Sequence, residues 1–458
     1  MRKTIYLLLA SFGLGACNYL DIEPVGKVIP HKVTEFRALM VSGYQRYPWS
    51  AGKCYTGLLS DEADSLYKEE FFGDEGVPLE YNLTWQYDGR MREYEWRMYY
   101  HSIFLANSVI GGVMGADQDS EESKEQIMAE AYAMRAYNHF ELVNLYAKWY
   151  DPATAATDKG VPISIYTDIE QPYEPNTVTE VYGQIVSDLD SAALLMQVDV
   201  QTDVNLNYRF SKKALKAFDA RVRLYMQDWQ KAYDVATSLL PVCELQNLEG
   251  ITGYSDKKLP WKATSVEAIL ALDRPFAGGN GDLRNAAMLS DQMLGLLDPT
   301  DYRRNFIKKK NRYENMDYAN PILVGYSVDR SSTDRISIRS AEVWLIAAEA
   351  AAHLPGKLQE AKNYLTEVQK NRFTPEGAAA KKAEVDAMDE AALLTEIYNE
   401  RAREFLMEGH RWFDLRRTTR PRIEKIVDGS TYVLQQNDSR YVLPYPFSAV
   451  ESNPELGK

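Results

Sequence analysis

The chain has 458 residues, 45% of them hydrophobic and 26% charged, and carries a formal net charge of -14. That balance excludes a phosphate-backbone partner, because nucleic-acid binding needs clustered Lys and Arg. Three cysteines exclude a disulfide-dense scaffold: apart from Cys17 only Cys54 and Cys243 remain, in no metal-ligand spacing, and either a disulfide or two buried thiols fits them.

Residues 1–16 read as a secretory signal. Arg2 and Lys3 start it, Ile5 to Leu14 form a short apolar stretch, and Gly15 and Ala16 are small cleavage-site residues. The stretch is far shorter than the roughly 20 residues that span a bilayer. Leu14-Gly15-Ala16-Cys17 resembles the lipobox of bacterial lipoproteins, so Cys17 is the expected lipidation site. Two or more acyl chains make a stable membrane anchor. Residues 17–30, broken by Pro24, Gly26 and Pro30, are the expected tether.

A first helix is expected from about Thr34, with Phe36, Leu39 and Met40 on one face. From about 44 to 94 periodicity fails while aromatics accumulate, which predicts a loop-rich insertion. Helical spacing returns at Trp96, Tyr100, Ile103, Asn107 and Ile110. Ile127 to Trp149 is apolar on nearly all sides, which marks a helix inside a larger core. Two later stretches superpose as helix pairs about 129 residues apart, with Trp229 on Leu358, Ala232 on Ala361 and Leu239 on Val368. Small residues at matched places let paired helices pack closely, as in a solenoid. Between the pairs, about 247–335 is a second aromatic-rich insertion. A last helix is expected from about Ala391 to Glu408, stopped by Gly409, followed by a short strand-like tail.

The sequence has no G-x-S-x-G elbow, no H-E-x-x-H helix and no G-x-x-x-x-G-K loop. Its five histidines are scattered, so no metal site is expected. Asp117, Asp119 and Glu121 alternate like the start of a calcium loop but lack its glycine and later glutamate, and read instead as an acidic helix start.

Four places carry a resemblance to the SusD/RagB nutrient-binding lipoproteins of Bacteroidetes. They are Cys17-Asn18-Tyr19-Leu20-Asp21; Trp96 to Ile110; Glu400-Arg401 through Glu404-Phe405 and Glu408-Gly409-His410-Arg411-Trp412-Phe413-Asp414; and the ending Leu443-Pro444-Tyr445-Pro446. The resemblance implies an all-α fold over 31–458, built on tetratricopeptide-like helix pairs with little β structure. It also implies an outer-membrane location, a TonB-dependent SusC-like transporter as partner, no cofactor, and a non-catalytic lid role in capturing glycan or, alternatively, oligopeptide. A helical scaffold for surface proteins is the further alternative.

Glu400, Glu404 and Glu408 recur every four residues, which invites an acid–base reading. With Arg401, Arg411 and Asp414 beside them, a structural charge cluster locking the last helix explains the same residues and is the reading preferred. Ligand contacts are expected from the insertions, where aromatic faces meet polar side chains. The candidates are Trp49, Asp61, Tyr67 and Trp85 from the first, and Asn280 and Tyr302 from the second.

Overall fold

The computed structural model describes residues 30–48, 56–66, 82–87, 96–168, 173–251, 258–274, 277–278, 281–282, 287–310, 317–323, 335–427 and 429–457. Cys17 with its signal and tether, Trp49, Cys54, Tyr67 and Asn280 lie outside these residues. Cys243 is a buried free thiol.

Eleven helices carry the frame: α1 Val33–Arg46, α2 Trp96–Gly112, α3 Lys124–Tyr146, α4 Val178–Leu195, α5 Lys212–Tyr225, α6 Trp229–Leu239, α7 Ser340–Ala352, α8 Leu358–Lys370, α9 Pro375–Ala387, α10 Glu390–Glu404 and α11 Arg411–Arg417. Neighbours in sequence pack as neighbours in space, α2 on α3, α3 on α4, α5 on α6 and α7 on α8. The mostly helical class expected from the stripes is the one observed.

α3 is the central beam. Nineteen of its 23 residues are buried, so its polar side chains must find partners inside. Glu130 takes both arms of Arg37 at 2.8 and 3.0 Å, and Arg135 grips Asp188 of α4 at 2.6 and 2.8 Å. His139 sits between the Arg135 carbonyl and the Ser164 amide, and burial lowers its pKa to about 3, so the ring is neutral. α1 and α2 meet at Gly112, where any Cβ would fall 2.6 Å from the Phe36 ring.

The two matched pairs stack on one another through α6 and α7. α6 starts at Trp229 and α8 at Leu358, the two residues aligned by the repeat. Ala232 and Ala361 are fully buried, and Trp229 stacks on His353 at 3.9 Å.

Besides a two-residue hairpin of Ala277–Gly278 and Gly281–Asp282, the strands among the described residues are β1 Ala63–Leu66, β2 Ala268–Leu270, β3 Ala287–Leu289, β4 Ile307–Lys310, β5 Asp317–Leu323, β6 Ile338–Arg339, β7 Ile423–Val427 and β8 Ser430–Leu434. β1 of the first insertion pairs with β3 of the second, in an antiparallel sheet of order β1-β3-β5-β4. Thus the two segments read as separate insertions share one sheet.

Other departures have local causes. α10 ends at Glu404, because Met407 and Gly409 adopt left-handed φ of +58° and +83°; Glu408 therefore lies in a turn rather than on the helical face. The Asp117–Glu121 run does not start its own helix, since Ser123 caps α3. Asp119 instead caps α1, accepting from the Thr34 amide at 3.0 Å and its hydroxyl at 2.5 Å. The tail's strands are β7 and β8, while Ser439–Tyr441 is a 3-10 turn. Two helices were not among those expected: α4, although it carries a Thr177/Glu180 capping box and an apolar stripe, and α9, which buries only Gly377 and Val385 and has no stripe to read.

Candidate functional site

The first insertion is rooted by residues 56–62, which are tied to the frame and to both insertions. The turn after α10 and the start of α11 both hold it: the Met407 amide donates to Glu62 Oε1 at 2.7 Å, and Arg411 grips Asp61 through two bonds of 2.7 and 2.8 Å. Lys425 of β7 donates to the Leu58 carbonyl at 2.6 Å, and Trp85 Nε1 to the Leu59 carbonyl at 2.9 Å. From the second insertion, the Ser290 hydroxyl and amide reach the carbonyls of Asp61 and Glu62 at 2.6 and 3.0 Å.

Two titratable groups in this hub are shifted by burial. Glu62 is pushed up to about 8, only partly opposed by the Met407 amide, and Lys425 is pushed down to about 7. The Lys425 nitrogen also lies 4.8 Å from the centre of the Trp85 ring.

Under the sheet lies an ionic network. Glu404 accepts from Arg303 at 2.8 Å, Arg339 at 2.5 Å and Arg372 at 2.7 Å. Arg339 also reaches Glu408 at 3.0 Å and Glu267 at 3.1 Å, while Glu400 takes Arg303 at 2.7 Å and Arg403 at 2.6 Å. Asp414 joins Arg401 and Arg417, each at 2.8 Å. Burial alone would raise these carboxyls. Around Glu404, Arg372 and Arg339 overcome it and hold the carboxyl well below its ordinary range; Arg303 and Arg403 hold Glu400 at about 2. Glu408 has only Arg339 against burial and rises to about 7. At 4% exposure or less, with arginines across their oxygens, Glu400, Glu404 and Glu408 leave no approach for a substrate, and a hydrolase reading built on them fails.

The described ligand candidates separate accordingly. Asp61 is 6% exposed and bound to Arg411, and Trp85 is 1% exposed with its ring against Lys425; in this conformation neither offers a face to a ligand. Tyr302 remains partly exposed. Its amide is fixed to the Arg372 carbonyl at 2.9 Å, and it packs on a small cluster with Leu248, Ile251, Leu259 and Phe306. The structure thus joins Asp61 and Trp85 in one hub and sets Tyr302 beside the ionic network.

Sequence reasoning passes over a second feature, a cleft of about 550 Å³ between the end of α3 and the C-terminal tail. Trp149 and Tyr445 stand in its walls. Its one sequence signal is the Leu443-Pro444-Tyr445 segment, which reads only as an ending.

Two family models match the chain, one described as starch-binding, associating with the outer membrane, over residues 18–224, and the SusD family model over 261–458. The chain belongs to the SusD/RagB family. A SusD-like protein, P25, of Formosa agariphila is 26% identical over 386 residues, 70% of this SusD/RagB chain and 69% of its own. A SusD superfamily structure from Bacteroides thetaiotaomicron is 22% identical, covers 93% of this chain and 98% of its own, and superposes with a TM-score of 0.75. Surface glycan-binding protein A of the same organism, solved with laminarihexaose, is 15% identical, covers 92% of this chain and 98% of its own, and has a TM-score of 0.66. Among the described residues no helix of this SusD/RagB protein is long and apolar enough to cross a membrane.

Proposed function

We propose that this protein is a non-catalytic carbohydrate-binding lipoprotein of the outer-membrane surface. A single helical body over 31–458 hangs from a lipid on Cys17 through the 17–30 tether. The body captures oligosaccharide and passes it to a TonB-dependent SusC-like transporter, over which it closes as a lid. The observation that carries the reading is the pair of family models spanning the chain. The laminarihexaose complex of a protein with this fold adds support for a glycan. The frame suits capture, since the two insertions are joined by β1 and β3 and fixed to a rigid ionic base, so a ligand meets a surface ordered in advance. Tyr302 is the described residue best placed for contact, with Trp49, Tyr67 and Asn280 as further contacts.

Calorimetry of the full chain in detergent against oligosaccharide and oligopeptide panels tests this. Heat of binding with an oligosaccharide is expected. Binding to peptides alone reassigns the ligand, and silence on both panels favours the scaffold.

A further inference from the structure

The cleft beside the tail is built rather than incidental. Its lining is apolar at Val442, Leu443, Pro444 and Tyr445. Tyr445 is itself fixed by edge contact with Trp96 at 5.4 Å and by its hydroxyl on the Gly160 carbonyl. The polar lining, which includes Lys148, Asp158, Lys159, Asn437 and Asp438, is held in place by its neighbours. Lys148 and the Thr154 hydroxyl clamp Asp158 at 3.0 and 2.6 Å. Arg440 and two backbone amides, those of Gln435 and Arg440, saturate Asp438. Asn437 sits at a left-handed φ of +57°. Arg420 holds it there, donating from Nε to Asn437 Oδ1 at 2.9 Å and accepting the Asn437 amide at 3.0 Å.

We propose that this cleft is a second saccharide-binding site, taking a short run of pyranose rings. The inference rests on the glycan reading above. A pyranose has an apolar C–H face and an equatorial belt of hydroxyls, which suits a cleft whose lining brings apolar and polar groups together. The Asn437 side-chain nitrogen and the Ser439 hydroxyl offer unengaged polar groups. A lipid chain would leave the polar lining without partners. The volume falls within the roughly 300–1,000 Å³ of small-molecule clefts. Tyr87 of the first insertion donates its hydroxyl to the Arg440 carbonyl at 3.0 Å. The cleft therefore adjoins the insertion that carries the main ligand candidates, as expected for two sites on one polymer.

The test is calorimetric stoichiometry on the full chain in detergent, titrated with laminarihexaose, maltohexaose, cellohexaose, mannohexaose and xylohexaose. Two sites per chain are expected for at least one of them. Ser439→Trp, which places a bulky ring in the cleft lining, should reduce two sites to one, and the milder Asn437→Ala should weaken the second site several-fold. Matched thermal melts keep the comparison meaningful. A single site in the wild type, or two sites that survive both substitutions, overturns the second site and leaves the glycan reading intact. No binding of any hexasaccharide overturns both.

Discussion

Glu62 holds its proton into the neutral range because burial disfavours its charge more than the Met407 amide, Arg411 and the Ser60 hydroxyl favour it. The sign of its effect on stability follows. Its folded pKa of about 8 stands above the ordinary 4.5, so the folded state keeps a proton that the unfolded chain releases. Its contribution is complete below about pH 4.5 and is lost as pH rises through 8. Glu62→Gln preserves the acceptor for the Met407 amide and cannot ionise. The variant should match the wild type near pH 5, exceed it near pH 8, and show a flatter stability profile in denaturant melts across that range. At Glu404 the logic reverses, because the charge is already compensated. Glu404→Gln leaves Arg339, Arg372 and Arg303 facing one another without their shared anion, and should cost about 3–5 kcal/mol by chemical denaturation.

The frame at the level of helices was legible because each stripe is local: a helix displays its buried face within its own dozen residues. The matched alanines make this testable. Ala361→Leu forces a larger side chain into the fully buried α7–α8 contact and should cost about 1–3 kcal/mol, whereas Ala391→Leu on the exposed face of α10 should be nearly neutral. The sheet was not legible, since β1 and β3 have only four and three residues and pair across more than 200 positions. The same distance hid the fate of Asp61. Its partner Arg411 lies 350 residues away, so a polar residue in an aromatic-rich segment resembled a ligand contact when it is a strap. Asp61→Ala should therefore loosen the root of the first insertion. Hydrogen exchange at residues 56–66 is expected to rise by at least tenfold while exchange in α3 stays unchanged.

At the scale of the whole molecule, acidity and architecture divide the work. The net charge of -14 serves solubility, while many of the arginines are turned inward to fix the base of the insertions. The charge cluster that first suggested catalysis thus stabilises the platform beside which Tyr302 stands. The family motifs were readable because they sit at such fixed points. The ligand was not, because specificity lies in surface loops whose contacts no local pattern encodes. Native gel electrophoresis of the full chain in detergent, through gels cast with single polysaccharides and followed by chromatography of the polymer, tests the central claim most directly. At least one polysaccharide should retard the protein strongly and emerge at its original chain length; no retardation by any polymer, or shortening of the polymer by the purified protein, would contradict the account.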